Sequence, residues 1–441
     1  MENWRECFGD DHQTSECMLP VDEFVITYGS YWGDAATLGD DLDDDFALGK
    51  LFAPDDMKLF DETLLNEDAI LNAVRSRSNI SAVGCDGLSN GLRKAGASTT
   101  ALFIKFIFKC MLDTGLFTEV LKMNKTVMLY KKGNADDPHS WRPIAITPTL
   151  YRIIMCHISR SLQTLNEHHP FISPCQKGFM RIPAAASEHA TMVDEMIHDA
   201  ARNLKSLYIM TIDFSDAFGS VPQELIKKNL SCLGFGAKFV KSIIDSYKGT
   251  KTRICCGRQK SSDVFIKRGV KQGCPLSPTL FNVCLESLLI RLSNMVDDGY
   301  HWFGRSSTVK SYADDVIIFS DTEEGMNNLL HTIERFCDFA CGMKINSKKY
   351  SCFSYVINNG TRCAPNLNFS IDGGVVDNVS IQGKTTYLGL PIAFRSSQRK
   401  KHIFNRIEEL FIDVTCVTSG SLRFTQAVDA VKRFILPKLD Y

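Results

Sequence analysis

Two adjacent aspartates could do chemistry in this chain, Asp314 and Asp315 in the stretch SYADDVIIFS. A tyrosine precedes them and a run of β-branched and apolar residues follows, so two like charges border a segment that favours burial. A hairpin turn accounts for the pattern, because aspartate tolerates turn conformations and short strands often flank it. The alternative is a bound cation, which would need at least one further carboxylate from elsewhere in the chain.

Asp213, in the stretch YIMTIDFSDAF, could supply that carboxylate. The apolar residues before it predict a strand, so its side chain would emerge at the rim of a sheet. If this strand lies beside the predicted hairpin, Asp213 and Asp314 meet across it. Two carboxylates completed by water and phosphate oxygens suit Mg²⁺. A helix N-cap is the competing interpretation of Asp213.

The composition bounds the class of protein. A chain of 441 residues that is 44% apolar can bury a sizeable core and form two or three structural units. Its 16 cysteines are scattered without the spacing of a zinc site, so we expect reduced thiols in an intracellular protein. No signal peptide or membrane span is predicted, because Lys105 and Lys109 interrupt the most apolar helix-like run, ALFIKFIFKCML.

The charge is distributed unevenly. Residues 1–60 carry a net charge of −12 and residues 61–441 carry +11, which suits a protein that binds a polyanion. Because residues 1–60 have little periodic apolar pattern, we expect a flexible acidic arm there. Such an arm could compete with nucleic acid for the basic body. An inert, solvated arm explains the same composition.

The rest of the pattern predicts an α+β fold, with helices interrupting short antiparallel strands. KTVMLYKKG and SLYIMTIDFSDAF are typical of strands, and STTALFIKFIFKCMLDTG has helical spacing. KRGVKQGCPLSPTLFNVCLESLLIRL predicts a loop punctuated by glycine and proline that opens a long amphipathic helix.

Several of these segments together resemble a known family. TIDFSDAFGSVP, RGVKQGCPLSPTLFN, SYADDVIIFS, GMKINSKKYS and YLGLP are similar, in this order, to the successive motifs of reverse transcriptases. Upstream, YKKG, SWRPIAITPTLYRII and CQKGFM resemble the finger motifs of non-LTR retrotransposon polymerases, and are closest to the site-specific lineage. SNISAVGCDG resembles an N-terminal motif that this lineage shares with group II intron enzymes. The resemblance covers roughly residues 65–440.

This resemblance implies a right-hand polymerase fold. After the acidic arm of residues 1–60, we expect fingers in residues 61–200 and a palm with an antiparallel sheet in residues 201–395, into which part of the fingers is inserted. Residues 396–441 would begin a thumb and end within it. The implied activity is RNA-directed DNA synthesis, with an RNA template, a DNA primer and dNTPs as partners, no membrane, and a location in the nucleus.

The resemblance also implies the roles of the aspartates. Asp213, Asp314 and Asp315 would be the catalytic carboxylates. Together with the backbone carbonyl of Phe214 they would bind two Mg²⁺ ions, for which Mn²⁺ could substitute. One ion would activate the primer 3′-hydroxyl and the other would hold the nucleotide triphosphate. Asp315 could instead stabilise the turn, because neighbouring strand residues face opposite ways.

Two further positions match family roles in the reaction. Phe218, five residues after Asp213, corresponds to the steric gate, an aromatic ring that leaves no room for a 2′-hydroxyl, with core packing as the alternative. Lys349 corresponds to a general acid that protonates the departing pyrophosphate. Lys348 is a neighbouring candidate for that role, and a solvated surface charge is the other interpretation.

The remaining positions would bind the nucleotide. Arg142 in WRPI and Lys131 in LYKKG would reach the triphosphate, the arginine by bidentate contact and the lysine as a point charge. Lys132 could replace Lys131. Gln272 and Gly273 begin a loop where close approach of the backbone to nucleotide and template would be useful, and glycine allows it. A loop that simply begins a helix has the same composition.

Two other functions are compatible with parts of the sequence. The first is a non-catalytic, nucleic-acid-binding remnant of a truncated retrotransposon polymerase, which would be expected to have lost its metal carboxylates. The second is another palm-type phosphoryl transferase, which QGCPLSP and WRPI disfavour. Gly219 departs from many non-LTR enzymes, which carry an acid there, but it is none of the proposed metal ligands.

Overall fold

The structure is a computed structural model. It describes residues 19–36, 38–39, 45–79, 81–131, 133–257, 259–346, 351–358, 361–363, 367, 369–371, 373–379, 384–393, 408, 411–412 and 414–415. The expectation of a thumb in residues 396–441 falls almost wholly outside these ranges. The other predicted domain bounds stay predictions.

The described strands form two larger sheets and several two-stranded pairs. Their bounds are β1 Met123–Tyr130, β2 Trp141–Ile146, β3 Leu207–Ile212, β4 Phe214–Ser215, β5 Lys251–Cys256, β6 Gln259–Lys260, β7 Val264–Phe265, β8 Tyr300–Trp302, β9 Arg305–Ser307, β10 Val309–Tyr312, β11 Asp315–Ser320, β12 Lys344–Ile345, β13 Ser351–Asn358, β14 Thr361–Cys363, β15 Ser370–Ile371, β16 Gly374–Val375, β17 Asp377–Asn378, β18 Lys384–Tyr387 and β19 Leu390–Ala393.

The described helices cover the faces of these sheets. Their bounds are α1 Val21–Phe24, a π-helical turn Val25–Gly29, α2 Ser30–Gly33, α3 Pro54–Leu64, α4 Glu67–Arg75, α5 Asn90–Ala95, α6 Ala97–Thr114, α7 Thr149–His168, α8 Ala185–Asn203, α9 Ala217–Ser220, α10 Gln223–Leu233, α11 Ala237–Asp245, α12 Ser277–Asn294 and α13 Glu323–Phe339, with 3₁₀ turns at Glu119–Leu121, Pro138–Ser140 and Val296–Asp298.

The central sheet has the strand order β10-β11-β3-β13-β14, antiparallel throughout, with β17 parallel to β13. Five of the six residues of β3 are buried, which matches its near-continuous apolar run. Met210 packs into one core cluster, with α12 and α13, and Ile209 packs into a second, with α8. A strand covered on both faces is fixed in position more firmly than one that faces solvent.

The second sheet has the order β2-β1-β5-β6, with β7 also paired to β5. β1 runs parallel to β5 and antiparallel to β2, so the two sequence segments that flank the YKKG turn are neighbours. The predicted α+β class, the predicted strands around YKKG and YIMTI, and the long helix after QGCPLSP are all present.

The expectation of a flexible arm in residues 1–60 is wrong for the described part of that segment. Phe24, Tyr28 and Trp32 are buried against the second sheet, and the Tyr28 hydroxyl donates to the carbonyl oxygen of Trp141 at 2.9 Å. Phe46 stacks on Phe339, with ring centroids 5.5 Å apart. These first three aromatic residues recur every fourth position, so they lie on one helical face, and the surrounding acidic residues obscured that pattern.

The state of the cysteines differs from the prediction at one position. Twelve of the described cysteines are free, but Cys256 is disulfide-bonded, so the expectation of reduced thiols is wrong at that position. The spacing of cysteines along the sequence does not determine which of them meet in the fold.

Among the described residues, no helix combines the length and the apolar character needed to cross a membrane.

A buried carboxylate connects α12 to the loop that follows α7. Glu286 is 1% exposed and accepts hydrogen bonds from the backbone N–H of Ser173, at 3.0 Å to each carboxylate oxygen, and from the Ser173 hydroxyl. Burial disfavours the charged form and raises the pKa of Glu286 from 4.5 to about 7, against the opposing effect of the Ser173 hydrogen bonds.

Glu286 therefore makes the free energy of unfolding depend on pH. Because its pKa is higher in the folded chain, the neutral acid stabilises the fold below about pH 4.5, and this contribution is lost as pH rises through about 7. The loss is roughly 3 kcal/mol for a shift of this size. We expect Glu286→Gln to remove this slope in denaturant unfolding measured between pH 4.5 and 8, relative to wild type. Glu324→Gln, at an exposed glutamate, is the control, and parallel pH profiles for Glu286→Gln and wild type would contradict the expectation.

Candidate active site

The predicted meeting of Asp213 with the aspartate hairpin is present. β10 and β11 form an antiparallel hairpin in which Tyr312 pairs with Asp315, so Ala313 and Asp314 are its turn residues. β11 pairs with β3 in the register Val316 to Ile212. The next position in that register sets Asp213 opposite Asp315, directly beside the turn. Three carboxylates thus come from the ends of two paired, buried strands.

The two hairpin aspartates differ in their surroundings. Asp314 is half-buried and Asp315 is exposed. The pKa of the nearby Tyr387 phenol is raised, first by burial and then by the negative charge of Asp315. Asp315 is therefore close enough to β18 to act on it electrostatically. Whether Asp315 binds metal or stabilises the turn stays a prediction.

Asp213 is held by a short strand pair at the end of β3. Its carbonyl oxygen accepts from the backbone N–H of Asn346 at 2.8 Å, and its Oδ2 accepts from the Asn346 side-chain amide at 3.1 Å. Phe214 pairs with Ile345 at the next position. Since hydrogen-bonded and non-hydrogen-bonded pairs alternate in an antiparallel ladder, the Phe214 carbonyl points away from β12. It is thus free to face a ligand on the other side.

Asp213 opens onto a cleft of about 600 Å³ between the two sheets. Asp216 and Ser215 line it on the side of the central sheet, and Lys131 and His139 line it on the side of the second sheet. Lys131 lies opposite the carboxylates of Asp213 and Asp216, and Asp137 adds a carboxylate on the Lys131 side. Such a cleft can hold a polyanionic ligand together with a cation.

Asp216 is a site residue that the sequence reasoning missed. It has left-handed backbone geometry (φ 41°) and accepts from the Gln272 side chain at 3.4 Å. Burial raises its pKa, while the charge of Lys131 and the Gly219 backbone N–H lower it. A Cβ on Gly219 would lie 2.1 Å from Asp216 Oδ2, so a larger residue there would require the Asp216 carboxylate to move. The signal for Asp216 in the sequence was the second acid in DFSDAF.

Gln272 and Gly273 lie where the loop before α12 touches β2. The Gln272 carbonyl accepts from the backbone N–H of Ala145 at 2.7 Å. Gly273 has φ 109°, and a Cβ on it would lie 2.7 Å from the carbonyl oxygen of Ala145. Glycine is needed there for conformation and for space. The close approach that the structure shows here is to β2, and the expected approach to nucleotide and template stays a prediction.

Phe218 lies beside the cleft, in aromatic contact with two other rings. It stacks on Phe281, with centroids 4.9 Å apart and planes 6° apart, and meets Phe179 edge-on at 6.0 Å. The ring is only partly buried. The ring therefore makes the contacts expected of a core residue and also has the accessible edge that a steric gate requires.

Of the predicted site residues, Lys131, Asp213 and Phe214 line the cleft. The described ones that are not among its lining residues are Asp314, Asp315, Phe218, Gln272, Gly273 and Arg142. Arg142 pairs with Leu129 in the β1–β2 ladder, and its exposed side chain lies outside the set that lines the cleft. Strand alternation places the two neighbours of each inward residue on the outer face, which the WRPI motif alone cannot reveal. Lys349, Lys348 and Lys132 lie outside the described residues.

The segment before α3 contributes a third wall that sequence reasoning also missed. Thr27, Tyr28 and Tyr31 line the same cleft as Asp213. The Tyr31 ring lies over the Arg268 guanidinium at 5.0 Å. Burial, followed by the negative charge of Asp216, raises the pKa of the Tyr31 phenol, and the positive charge of Arg268 lowers it. The signal available in the sequence was the spacing of aromatic residues in FVITYGSYW.

The donor set of the site suits a hard divalent cation. The available oxygens are the carboxylates of Asp213, Asp314 and Asp315 and the carbonyl of Phe214, and oxygen ligands are those that Mg²⁺ prefers. Within the described residues, no group of three or more His, Cys, Asp or Glu side chains is already arranged to hold a metal ion. The protein oxygens would therefore form part of a coordination shell that substrate and water complete.

This chain is similar in sequence to several known proteins. The R2 retrotransposon polyprotein of Popillia japonica is 27% identical over 80% of this chain and 48% of its own length. The type-2 R2DM polyprotein of Drosophila melanogaster is 24% identical over 97% of this chain and 38% of its own length. A solved telomerase from Candida tropicalis covers 80% of this chain and 57% of its own, with a TM-score of 0.44 and 11% identity.

These matches bear out the resemblance to non-LTR retrotransposon polymerases, although the chain spans about half or less of the length of the R2 polyproteins. The sequence pattern of the family described as reverse transcriptase (RNA-dependent DNA polymerase) matches residues 129–392, which include the central sheet, the second sheet except most of β1, and all three aspartates. The predicted right-hand polymerase fold is confirmed, and a divalent metal requirement is general in this family. Since the match covers more than half of the sequence, the chain belongs to the reverse transcriptase family.

Proposed function

We propose that this chain is an RNA-directed DNA polymerase that extends a primer 3′-hydroxyl with dNTPs on an RNA template, using two Mg²⁺ ions. The observation that carries the proposal is the register of β3 with β11, which puts Asp213 next to the hairpin of Asp314 and Asp315. Asp213 in turn lines the same cleft as Lys131. Mg²⁺ bound there would supply a stronger nucleophile and neutralise charge on the phosphates.

The residues of the chain would divide the work by their positions. Asp213 and Asp314 provide negative charge at the end of the central sheet, and Asn346 keeps the Asp213 carboxylate in one orientation. Lys131, on the opposite wall, contacts the triphosphate as a point charge. Proximity of this kind contributes to the rate by reducing the entropy lost when primer and nucleotide are aligned.

The charge of Asp314 is the first test of the proposal. Asp314→Asn keeps the size of the side chain but removes its charge. We expect it to lower the rate of primer extension by on the order of a hundredfold or more, since an electrostatic contact to the reacting groups is lost. The measurement is single-nucleotide extension on an RNA template with Mg²⁺.

Asp297→Asn is the matched control, because Asp297 is an exposed acid in the 3₁₀ turn after α12. It should leave the extension rate unchanged. Extension by Asp314→Asn at the wild-type rate would contradict the assignment of Asp314, and a wild-type chain that extends no primer would contradict the function itself.

Phe218 is proposed as the steric gate. We expect Phe218→Val to raise rNTP incorporation relative to dNTP by on the order of tenfold to a hundredfold, because a smaller side chain leaves room for the 2′-hydroxyl. Phe218→Tyr, which keeps the ring stacked on Phe281, is the control and should retain the preference for dNTP. A loss of thermal stability in Phe218→Val without any change in the ratio would assign the ring to core packing alone.

Tyr31 is proposed as part of the nucleotide wall. We expect Tyr31→Ala to raise KM for dNTP several-fold, roughly as the loss of one aromatic contact would, with kcat less affected. Ile26→Ala is the control, since Ile26 lies on the same helical segment with its side chain 72% exposed. If both variants have the KM of wild type, the segment does not shape the nucleotide site.

A further inference from the structure

One edge of the central sheet is covered by a short segment of the chain. β10 is the edge strand, and residues Cys175–Gly178 run along it. The backbone N–H of Ser311 donates to the carbonyl of Cys175 at 2.8 Å, and that of Lys177 donates to the carbonyl of Ser311 at 3.0 Å. This segment, which we name the edge clamp (residues 175–178), therefore forms one isolated parallel bridge to the edge of the sheet, between Gln176 and Ser311.

Gln176 is the central residue of the edge clamp, and its side chain is bound entirely to the hairpin and to the clamp itself. It is 1% exposed. Its Oε1 accepts from the backbone N–H groups of Ala313 and Gly178, each at 2.8 Å. Its Nε2 donates to the Ser311 hydroxyl at 2.8 Å and to the Ala313 carbonyl at 3.1 Å. The two N–H donors and two acceptor sites of the amide are thus all used.

The residue that Gln176 holds is the turn residue next to Asp314. Ala313 has φ 58°, in the left-handed region that residues other than glycine disfavour. Both its N–H and its carbonyl bind the same glutamine side chain. A Cβ on Gly178 would lie 2.1 Å from the Ala313 nitrogen, so the clamp also touches the turn directly. Asn282 of α12 secures Gly178 by donating to its carbonyl at 2.9 Å.

We propose that Gln176 is a positioning residue that fixes the left-handed backbone of Ala313 and thereby aims Asp314 at the cleft. Gln176 is buried, so its effect on Asp314 would pass through the groups that it binds, chiefly the Ala313 peptide groups. The inference deepens the proposed function and rests on it for its kinetic consequence, whereas its structural consequence is independent of activity.

The test compares Gln176→Ala with Gln163→Ala in the full chain. Gln163 donates to the Phe179 carbonyl of the adjacent loop at 3.4 Å and makes none of the contacts that hold the hairpin. We expect amide exchange across residues 309–316 to accelerate by about tenfold or more in Gln176→Ala, with no acceleration in Gln163→Ala. Unchanged exchange in Gln176→Ala would overturn the inference.

The kinetic arm separates positioning from general destabilisation. We expect Gln176→Ala to lower kcat by about tenfold to a hundredfold, while KM for dNTP and the affinity for template and primer stay within about twofold of wild type. Adding Ala313→Gly to Gln176→Ala should restore part of kcat, because glycine adopts positive φ without the steric cost.

The outcomes are distinguishable from failure of the proposed function. If the wild-type chain extends no primer, the function fails and the exchange comparison alone decides the positioning role. If the wild type is active and the loss of kcat in Gln176→Ala is not relieved at all by Ala313→Gly, Gln176 does not act through the Ala313 backbone and the inference is wrong.

Discussion

The pairing of β3 with β11 is the interaction on which the site depends. It brings three carboxylates of like charge to the ends of two adjacent strands, an arrangement that electrostatic repulsion opposes. The strands stay together because their apolar residues are buried on both faces, by α12 and α13 on one side and by α8 on the other. Hydrophobic burial, which has no direction, supplies the free energy, and the hydrogen-bonded register decides which carboxylates meet.

Close backbone approach is the second constraint, and glycine satisfies it at several points around the site. Gly178 lies against the nitrogen of Ala313, Gly219 against the carboxylate of Asp216, and Gly273 against the carbonyl of Ala145. In each case a Cβ would come within 2.8 Å of another atom, which real side chains do not tolerate. The contact of Gly178 joins the edge clamp to the hairpin, and that of Gly273 joins the loop before α12 to the second sheet, whereas that of Gly219 lies within the segment after β3. A methyl group on any of the three glycines would force the contacting atoms apart.

The sequence predicted the parts of the fold and site that depend on local pattern. The run before Asp213, the hairpin around Asp314 and the helix after QGCPLSP were readable because burial and turn formation leave periodic or compositional marks. Asp216 was missed, since its importance comes from left-handed geometry and from Gly219, which are tertiary facts. Arg142 was expected at the cleft, but strand alternation turns its side chain outward.

The segment before α3 was expected to be a flexible arm, but aromatic contacts hold both of its described ends. At one end Trp32 is buried against the second sheet, and at the other Phe46 packs on α13 beneath the central sheet. Between them the Asp34 carbonyl accepts from Arg268 at 2.8 Å, and the Gly39 N–H donates to Phe339 at 3.1 Å. Aromatic burial fixes both ends more firmly than these polar contacts fix the middle. Moving either Trp32 or Phe46 would expose buried apolar surface, so the two aromatic contacts tie the second sheet and α13 to the same segment of the chain.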